Sequence, residues 1–497
     1  MPASSRPAPP PARPEPTIIQ GGMGVSVSTW RLARSVARLG ELGVVSGTGI
    51  DSVLVRELQH GDPHGRLRVL ADYPDQGTVG WLRDTFYVEG GIAPGTPYKL
   101  LPLHRFRPTV RSQRVLSAAA FSEVALAKEG HDGLVGINLM AKLKRYTLPC
   151  LYGAMLAGVD AALVGAGIPI EEVEAMQRLA AGQPARLRLE VDSALAPETE
   201  GPFEYTLDPA DLVDTPRAMP APRFYPIISS DLLAGILAKK LAPGSVAGWI
   251  IEGPVAGGHN APPRNKGVDS DQNPVYDARD TPDLARIAAL GLPFYLAGGY
   301  GTPERVQEAL AAGAAGVQVG SLFSLADESG YPAATKEALI GGIHRGEVAV
   351  RTDGRVSATG FPFKVVEMGG TLGMPGRAEA RTRICDLGYL QQAYLDEKGR
   401  VQGRCPAEPV ADYVRKGGDA DDTVRRACLC NGLMANVGLG QTQAWGAEET
   451  LFTAGDDLVD LPLGSADAPR FSAEDVVRYL RGEPVGATGA GAAVAVA

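Results

Sequence analysis

Cysteine and histidine are scarce in this chain, with five and six respectively in 497 residues. Thiols this sparse, with no export signal, exclude a disulfide-stapled secreted domain and point to a reducing cytoplasm. No run of eighteen apolar residues occurs, so no membrane span is expected. Residues 1–16, rich in proline and alanine, lack the basic and then apolar regions of a secretory signal and are expected to form a disordered leader. Residues 483–497, dominated by Gly, Ala and Val, are expected to form a disordered tail. Basic clustering is also missing. The net charge of −9 is spread along the chain, which argues against nucleic-acid binding and otherwise bears on solubility. What the chain has in quantity is apolar material, 44% of its residues, enough for a large packed core.

That material falls into eight short runs: Thr17–Gln20, Leu42–Ser46, Leu134–Asn138, Ala161–Val164, Phe224–Ser229, Val246–Glu252, Pro293–Ala297 and Gly316–Gly320. Strands buried on both faces read as continuous apolar runs and not as alternation. Helical patterns follow most of them. After the first, Ser28 or Thr29 can cap a helix carrying Leu32, Val36 and Leu39, which Gly40 can close. Eight such units predict an α/β fold, a (β/α)₈ TIM barrel over 17–345, with a doubly wound open sheet as its competitor. The fifth strand is the weakest, because Pro226 cannot donate to a ladder. A long insertion after strand 2, about 53–133, is predicted to hold helices near Gln76–Tyr87 and Ser112–Glu129. Residues 187–223 are irregular. Residues 346–482 form a C-terminal region expected to pack over the barrel, with strand-like Val348–Arg351 and Phe363–Val366.

In such a barrel the loops after the strands carry function, and phosphate often sits after strands seven and eight. Strand seven ends in Ala297-Gly298-Gly299, with Thr302 and Pro303 starting a helix; strand eight ends in Gln318-Val319-Gly320-Ser321. Small residues let backbone N–H groups approach a phosphate, and a helix N-terminus adds favourable charge. A plain tight turn is the bland alternative. After strand six comes Ala256-Gly257-Gly258-His259, which places an imidazole just past two glycines at the barrel mouth. A histidine neutral at pH 7 can take a proton from a carbon acid. The other five histidines are read as solvated or structural. Arg264, five residues on, is a candidate substrate contact. Cys385, Cys405, Cys428 and Cys430 fall in one window and are candidate metal ligands, although one C-x-C and no C-x-x-C make core packing the competing reading, with a reversible disulfide as a lesser one, and no metal the working expectation.

Together Ile18-Ile19-Gln20-Gly21-Gly22-Met23-Gly24, Gly136-Ile137-Asn138, Ala256–His259, Ala297–Gly299 and Val317–Ser321 resemble the nitronate monooxygenase family, formerly 2-nitropropane dioxygenases, which also includes FMN-dependent enoyl reductases. The resemblance implies an FMN-binding TIM barrel. Gly22 and Met23 would contact the isoalloxazine, and Asn138 would hydrogen-bond the flavin. Gly258, Gly298, Gly299, Gln318, Gly320 and Ser321 would hold ribityl and phosphate, with His259 as base or substrate-orienting group. Two departures stand out: Val255 occupies a position where many members carry glutamate, and Ser321 ends an element that usually ends in threonine. The activity implied is oxidation of a nitroalkane, a nitronate or a related activated carbon acid with O₂. Alternatives are an NAD(P)H-dependent enoyl reductase, with NAD(P)H as reductant, and an accessory flavoprotein of a biosynthetic complex. The expected partners are a small-molecule substrate and O₂, with no nucleic acid or membrane, and a homodimer is admissible.

Overall fold

The computed structural model describes residues 15–485. The expected leader and tail lie outside the described residues, apart from 15–16 and 483–485. Glu15, inside the expected leader, is anchored: its carboxylate accepts from the hydroxyls of Tyr225 (3.4 Å) and Tyr295 (3.3 Å) and lies 3.2 Å from Arg223.

Eight parallel strands form the centre: β1 (Ile18–Gln20), β2 (Gly43–Ser46), β3 (Val135–Met140), β4 (Ala161–Gly165), β5 (Arg223–Ile228), β6 (Trp249–Glu252), β7 (Phe294–Ala297) and β8 (Gly316–Val319). They are ordered β1-β8-β7-β6-β5-β4-β3-β2. The seam between β1 and β2 closes through a bridge from Ile19 to Leu42, with Gln20 N–H donating to Leu42 O at 2.9 Å and Leu42 N–H to Ile18 O at 3.2 Å. The barrel is thus closed, and each predicted strand is one of its staves. Pro226 is accommodated because β5 pairs with β4 up to Val164–Pro226 while its ladder to β6 begins at Ile227.

Two hydrophobic clusters explain the continuous apolar runs. Ile19, Val44, Leu163, Tyr225, Ile250 and Tyr295 point inward and fill the barrel. Their neighbours Ile18, Val45, Val164, Phe224, Ile251 and Leu296 point outward against the helices. One step along a strand reverses the face, so both residues of each pair must be apolar.

The helix Trp30–Arg38 is capped by Thr29, whose hydroxyl accepts from Leu32 N–H at 3.3 Å. The insertion is narrower than expected. Val110–Lys128 packs against Trp30–Arg38 and Lys144–Leu156 as the second helix of the outer ring, so the additional elements are Ile50–Gln59, Arg66–Leu70 and Gln76–Phe86. Ile50–Gln59 is buried along its whole length, including Asp51, Arg56 and Glu57, and so shows no polar face that a periodicity could reveal. The C-terminal region is likewise divided. Ala349–Asp353 (β9) and Phe363–Glu367 (β10) pair as an antiparallel ribbon at the mouth, whereas Ala473–Leu480 packs on Trp30–Arg38 and Pro303–Ala311 as part of the ring. No helix among the described residues is long and apolar enough to cross a membrane.

Backbone crossings at the foot of the barrel depend on missing side chains. A Cβ on Gly316 would stand 2.0 Å from Thr17 O, and one on Gly43 would stand 1.9 Å from Ala33 O. Gly316→Ala and Gly43→Ala are therefore expected to lower stability by about 1–3 kcal/mol through overpacking. Gly80→Ala, in a helix with open space around it, should be neutral or stabilising by up to about 1 kcal/mol. Urea midpoints of the three variants test this contrast.

Candidate active site at the barrel mouth

The strand ends surround a cavity of about 240 Å³. Its first wall is the loop after β1. Gln20, fully buried, accepts from Val44 N–H (2.9 Å) and donates to Ser28 Oγ (2.8 Å), while Ser28 accepts from Met23 N–H and donates to Gly21 O, each at 2.8 Å. These bonds fold Gly21–Met23 back on Ser28 and tie the loop to β2. A Cβ on Gly22 would come within 2.2 Å of Asn138 Cβ, so only glycine permits the contact in which Asn138 Nδ2 donates to Gly22 O at 2.6 Å. That bond leaves Asn138 Oδ1 buried without a partner.

The wall after β6 is pinned by the C-terminal region. Gly258 N–H donates to Thr453 Oγ1 (2.8 Å), Lys364 N–H to Gly258 O (2.9 Å), and Asn260 N–H to Pro362 O (2.9 Å). His259 lies opposite Phe363 in an antiparallel bridge, and the two rings meet edge to face at 4.8 Å. Its Nε2 is 2.6 Å from Ser357 Oγ, which in turn lies 2.9 Å from Thr359 Oγ1. Burial, with the nearby charge of Lys142, holds the imidazole pKa down at about 3, so the ring is neutral at physiological pH.

After β7, Gly298 (φ +85°) and Gly299 (φ +80°) turn the chain beneath Ala256. After β8, Ser321 Oγ accepts from Gly455 N–H at 2.8 Å, and Gln318 Oε1 is buried without a partner. Burial also raises the Asp457 carboxyl beside Ser321, so a phosphate on these loops would meet an acid already disfavoured as an anion. Glycines that let backbone approach a ligand, two orphaned amide oxygens and a neutral imidazole on one cavity suit the edge and tail of a flavin.

Gly22, Met23, Asn138, Gly258, His259, Gly298, Gly299, Gln318, Gly320 and Ser321 all line this one cavity. Arg264 does not. Its side chain, a little under half exposed, turns toward Asp231 at 3.8 Å, which gives the guanidinium a carboxylate outside the cavity. The four C-terminal cysteines gather around a separate small cavity. Among the described residues, however, no group of three or more His, Cys, Asp or Glu is arranged to hold a metal.

Residues 226–360 match the family model described as nitronate monooxygenase. The match runs from β5 through β8 and on to the ribbon strand β9. The protein is accordingly a flavin-dependent oxidoreductase. Among curated proteins none matches the chain. Similar solved structures include FabK from Thermotoga maritima, at 14% identity and TM-score 0.46, covering 94% of this chain and 91% of that one. Another is nitroalkane oxidase from Streptomyces ansochromogenes, at 15% identity and TM-score 0.44, covering 94% and 95%. The nitronate monooxygenase match contains the His259 loop and both phosphate-type loops, while Gly22 and Asn138 precede it.

Sequence reasoning passed over three polar groups here. Ser357 lies in the C-terminal region, where no periodicity singled it out. Lys142 stands just past β3; its ammonium is buried over the Phe361 ring without a hydrogen-bond partner, and burial lowers its pKa to about 7. Glu252 was legible as an acid ending an apolar run. It lines the cavity, and burial alone raises its carboxyl to about 8. A folded-state pKa above the ordinary value of 4.5 means that the stability linked to this proton is full below pH 4.5 and lost as pH rises through about 8. Glu252→Gln should therefore gain thermal stability over the parent progressively across that window and not below it. Melting both proteins from pH 4 to pH 9, in buffers of about equal ionic strength, checks the sign.

Proposed function

We propose that the protein is an FMN-dependent oxidoreductase of nitronate monooxygenase type that oxidises a nitronate, its parent nitroalkane or a related activated carbon acid with O₂. The observation that carries this reading is the neutral His259, fixed by Ser357 and Phe363 on the cavity that all the cofactor candidates line. Asn138 and Gln318 supply acceptors for flavin N–H and ribityl hydroxyl groups, and the backbone around Gly298, Gly299, Gly320 and Ser321 suits the phosphate. When bound, FMN supplies electron acceptance from the substrate and the reaction with O₂.

An imidazole held near pKa 3 is a poor base at neutral pH, because general-base efficiency is best when the pKa is near the working pH. That favours the orienting role: His259 positions a substrate that enters already ionised, as a nitronate does. His259→Asn should retain flavin and lower kcat/KM for a nitronate by about 10²-fold through loss of substrate orientation. Unchanged turnover in the yellow variant would remove His259 from the reaction.

One observation favours a second reading. The Glu252 carboxyl, raised to about 8, is an acid at neutral pH, and an NAD(P)H-dependent enoyl reductase needs a proton donor beside its substrate. Anaerobic mixing with NADPH separates the two readings. Persistent yellow colour until a nitronate is added is the expected result, and immediate bleaching by NADPH would favour the reductase.

A further inference from the structure

The four cysteines of the C-terminal region come from three separate stretches of chain, yet Cys385, Cys405, Cys428 and Cys430 line one cavity of about 10 Å³, room for a single water at most. All are free thiols. This cavity shares Leu390, Leu429 and Cys430 with the large cavity at the barrel mouth, so Cys430 stands in the wall between them.

Within the cluster, Cys428 and Cys430 differ from the others. Cys428 is the N-cap of the helix Leu429–Asn436 and is only partly buried. The Cys430 thiol donates toward its sulfur, the Arg381 guanidinium lies nearby, and the Asn431 backbone N–H faces it; each favours the thiolate over the thiol. Arg381 is itself fixed by an ion pair with Glu448. Burial, by contrast, holds Cys385 and Cys405 toward the thiol, and Cys430 is held there by its hydrogen bond to Cys428 together with burial, so Cys428 alone of the four is shifted toward the thiolate. Cys150 is fully buried against the barrel core. The hydrogen bond between the two side chains sets their sulfurs side by side, as a disulfide requires beyond a suitable Cα separation.

We propose that Cys428 and Cys430 form a peroxide-reactive dithiol site, with Cys428 as the attacking thiolate and Cys430 as the resolving thiol. The oxidant is a hydroperoxide, hydrogen peroxide being the simplest. The Cys428 sulfur attacks one peroxide oxygen and the O–O bond breaks. The departing oxygen takes a proton and leaves as water or an alcohol, and the sulfur, oxidised by two electrons, becomes a sulfenic acid. The Cys430 sulfur then attacks that sulfur, an S–S bond forms, and the sulfenic oxygen leaves as water with the thiol proton. Because Cys430 and Leu429 line the large cavity, closing this bond reshapes the wall that a substrate meets.

The test needs no turnover, so its failure is distinct from failure of the oxidoreductase reading. Reduced protein, with and without added FMN, is treated with hydrogen peroxide; thiols are then counted and disulfides mapped by peptide mass. The expected result is loss of two of the five thiols to a Cys428–Cys430 link that dithiothreitol reverses. Cys430→Ser should trap a sulfenic acid on Cys428 that dimedone captures, and Cys428→Ser should leave all the remaining thiols reduced. If either variant fails to fold, the map of the parent protein decides alone. Five surviving thiols under a dose that oxidises free cysteine, a link joining a different pair, or a stoichiometric metal protecting all four thiols would each overturn the proposal.

Discussion

The backbone pairing between residues 258–260 and 362–364 is the constraint on which the barrel mouth depends. A loop leaving β6 through two glycines has no helix to hold it, and Gly258 adopts a left-handed conformation that contributes nothing to rigidity. Two backbone hydrogen bonds to β10 and its approach, with a third from Gly258 N–H to the Thr453 hydroxyl, fix that loop through a single antiparallel bridge. His259 gains its orientation and its Ser357 partner from the same pairing. The segment that confers this order lies about a hundred residues downstream of the loop, so the C-terminal region is part of the site's machinery and not a cover laid over it.

A consistent electrostatic pattern follows. The mouth collects groups whose charged forms are disfavoured: a neutral imidazole, a protonated Glu252, a raised Asp457 and a weakened Lys142. Burial is the leading cause in every case. A cavity without fixed full charge suits a flavin, whose isoalloxazine is apolar with a polar edge.

The barrel was legible in the sequence because its signal is redundant. Eight double-sided strands each require a continuous apolar run, and one ambiguous stave such as β5 does not change the count. The gathering of the candidate residues on one cavity was legible for a related reason: glycines at strand ends, and an amide or imidazole beside them, have few purely structural explanations in so short a space. The helix Ile50–Gln59 was not legible, since burial on all sides removes the periodicity that marks a surface helix. Ser357 and Lys142 were invisible for another reason, because their significance comes from what the fold places next to them. Arg264 illustrates the converse: proximity in sequence to His259 suggested a role, yet a nearby carboxylate draws it outward.

The seam of the outer ring joins distant parts of the polypeptide. Ala473–Leu480 lies against Trp30–Arg38, and Arg481 bonds to Leu39 O and Glu41 across sequence separations of 442 and 440 residues, each at 2.9 Å. During synthesis the first helix therefore emerges long before the helix that shields it. Until residues 473–481 have been made, its apolar flank is open to chaperones or to misassociation, and closure of the ring must wait for them.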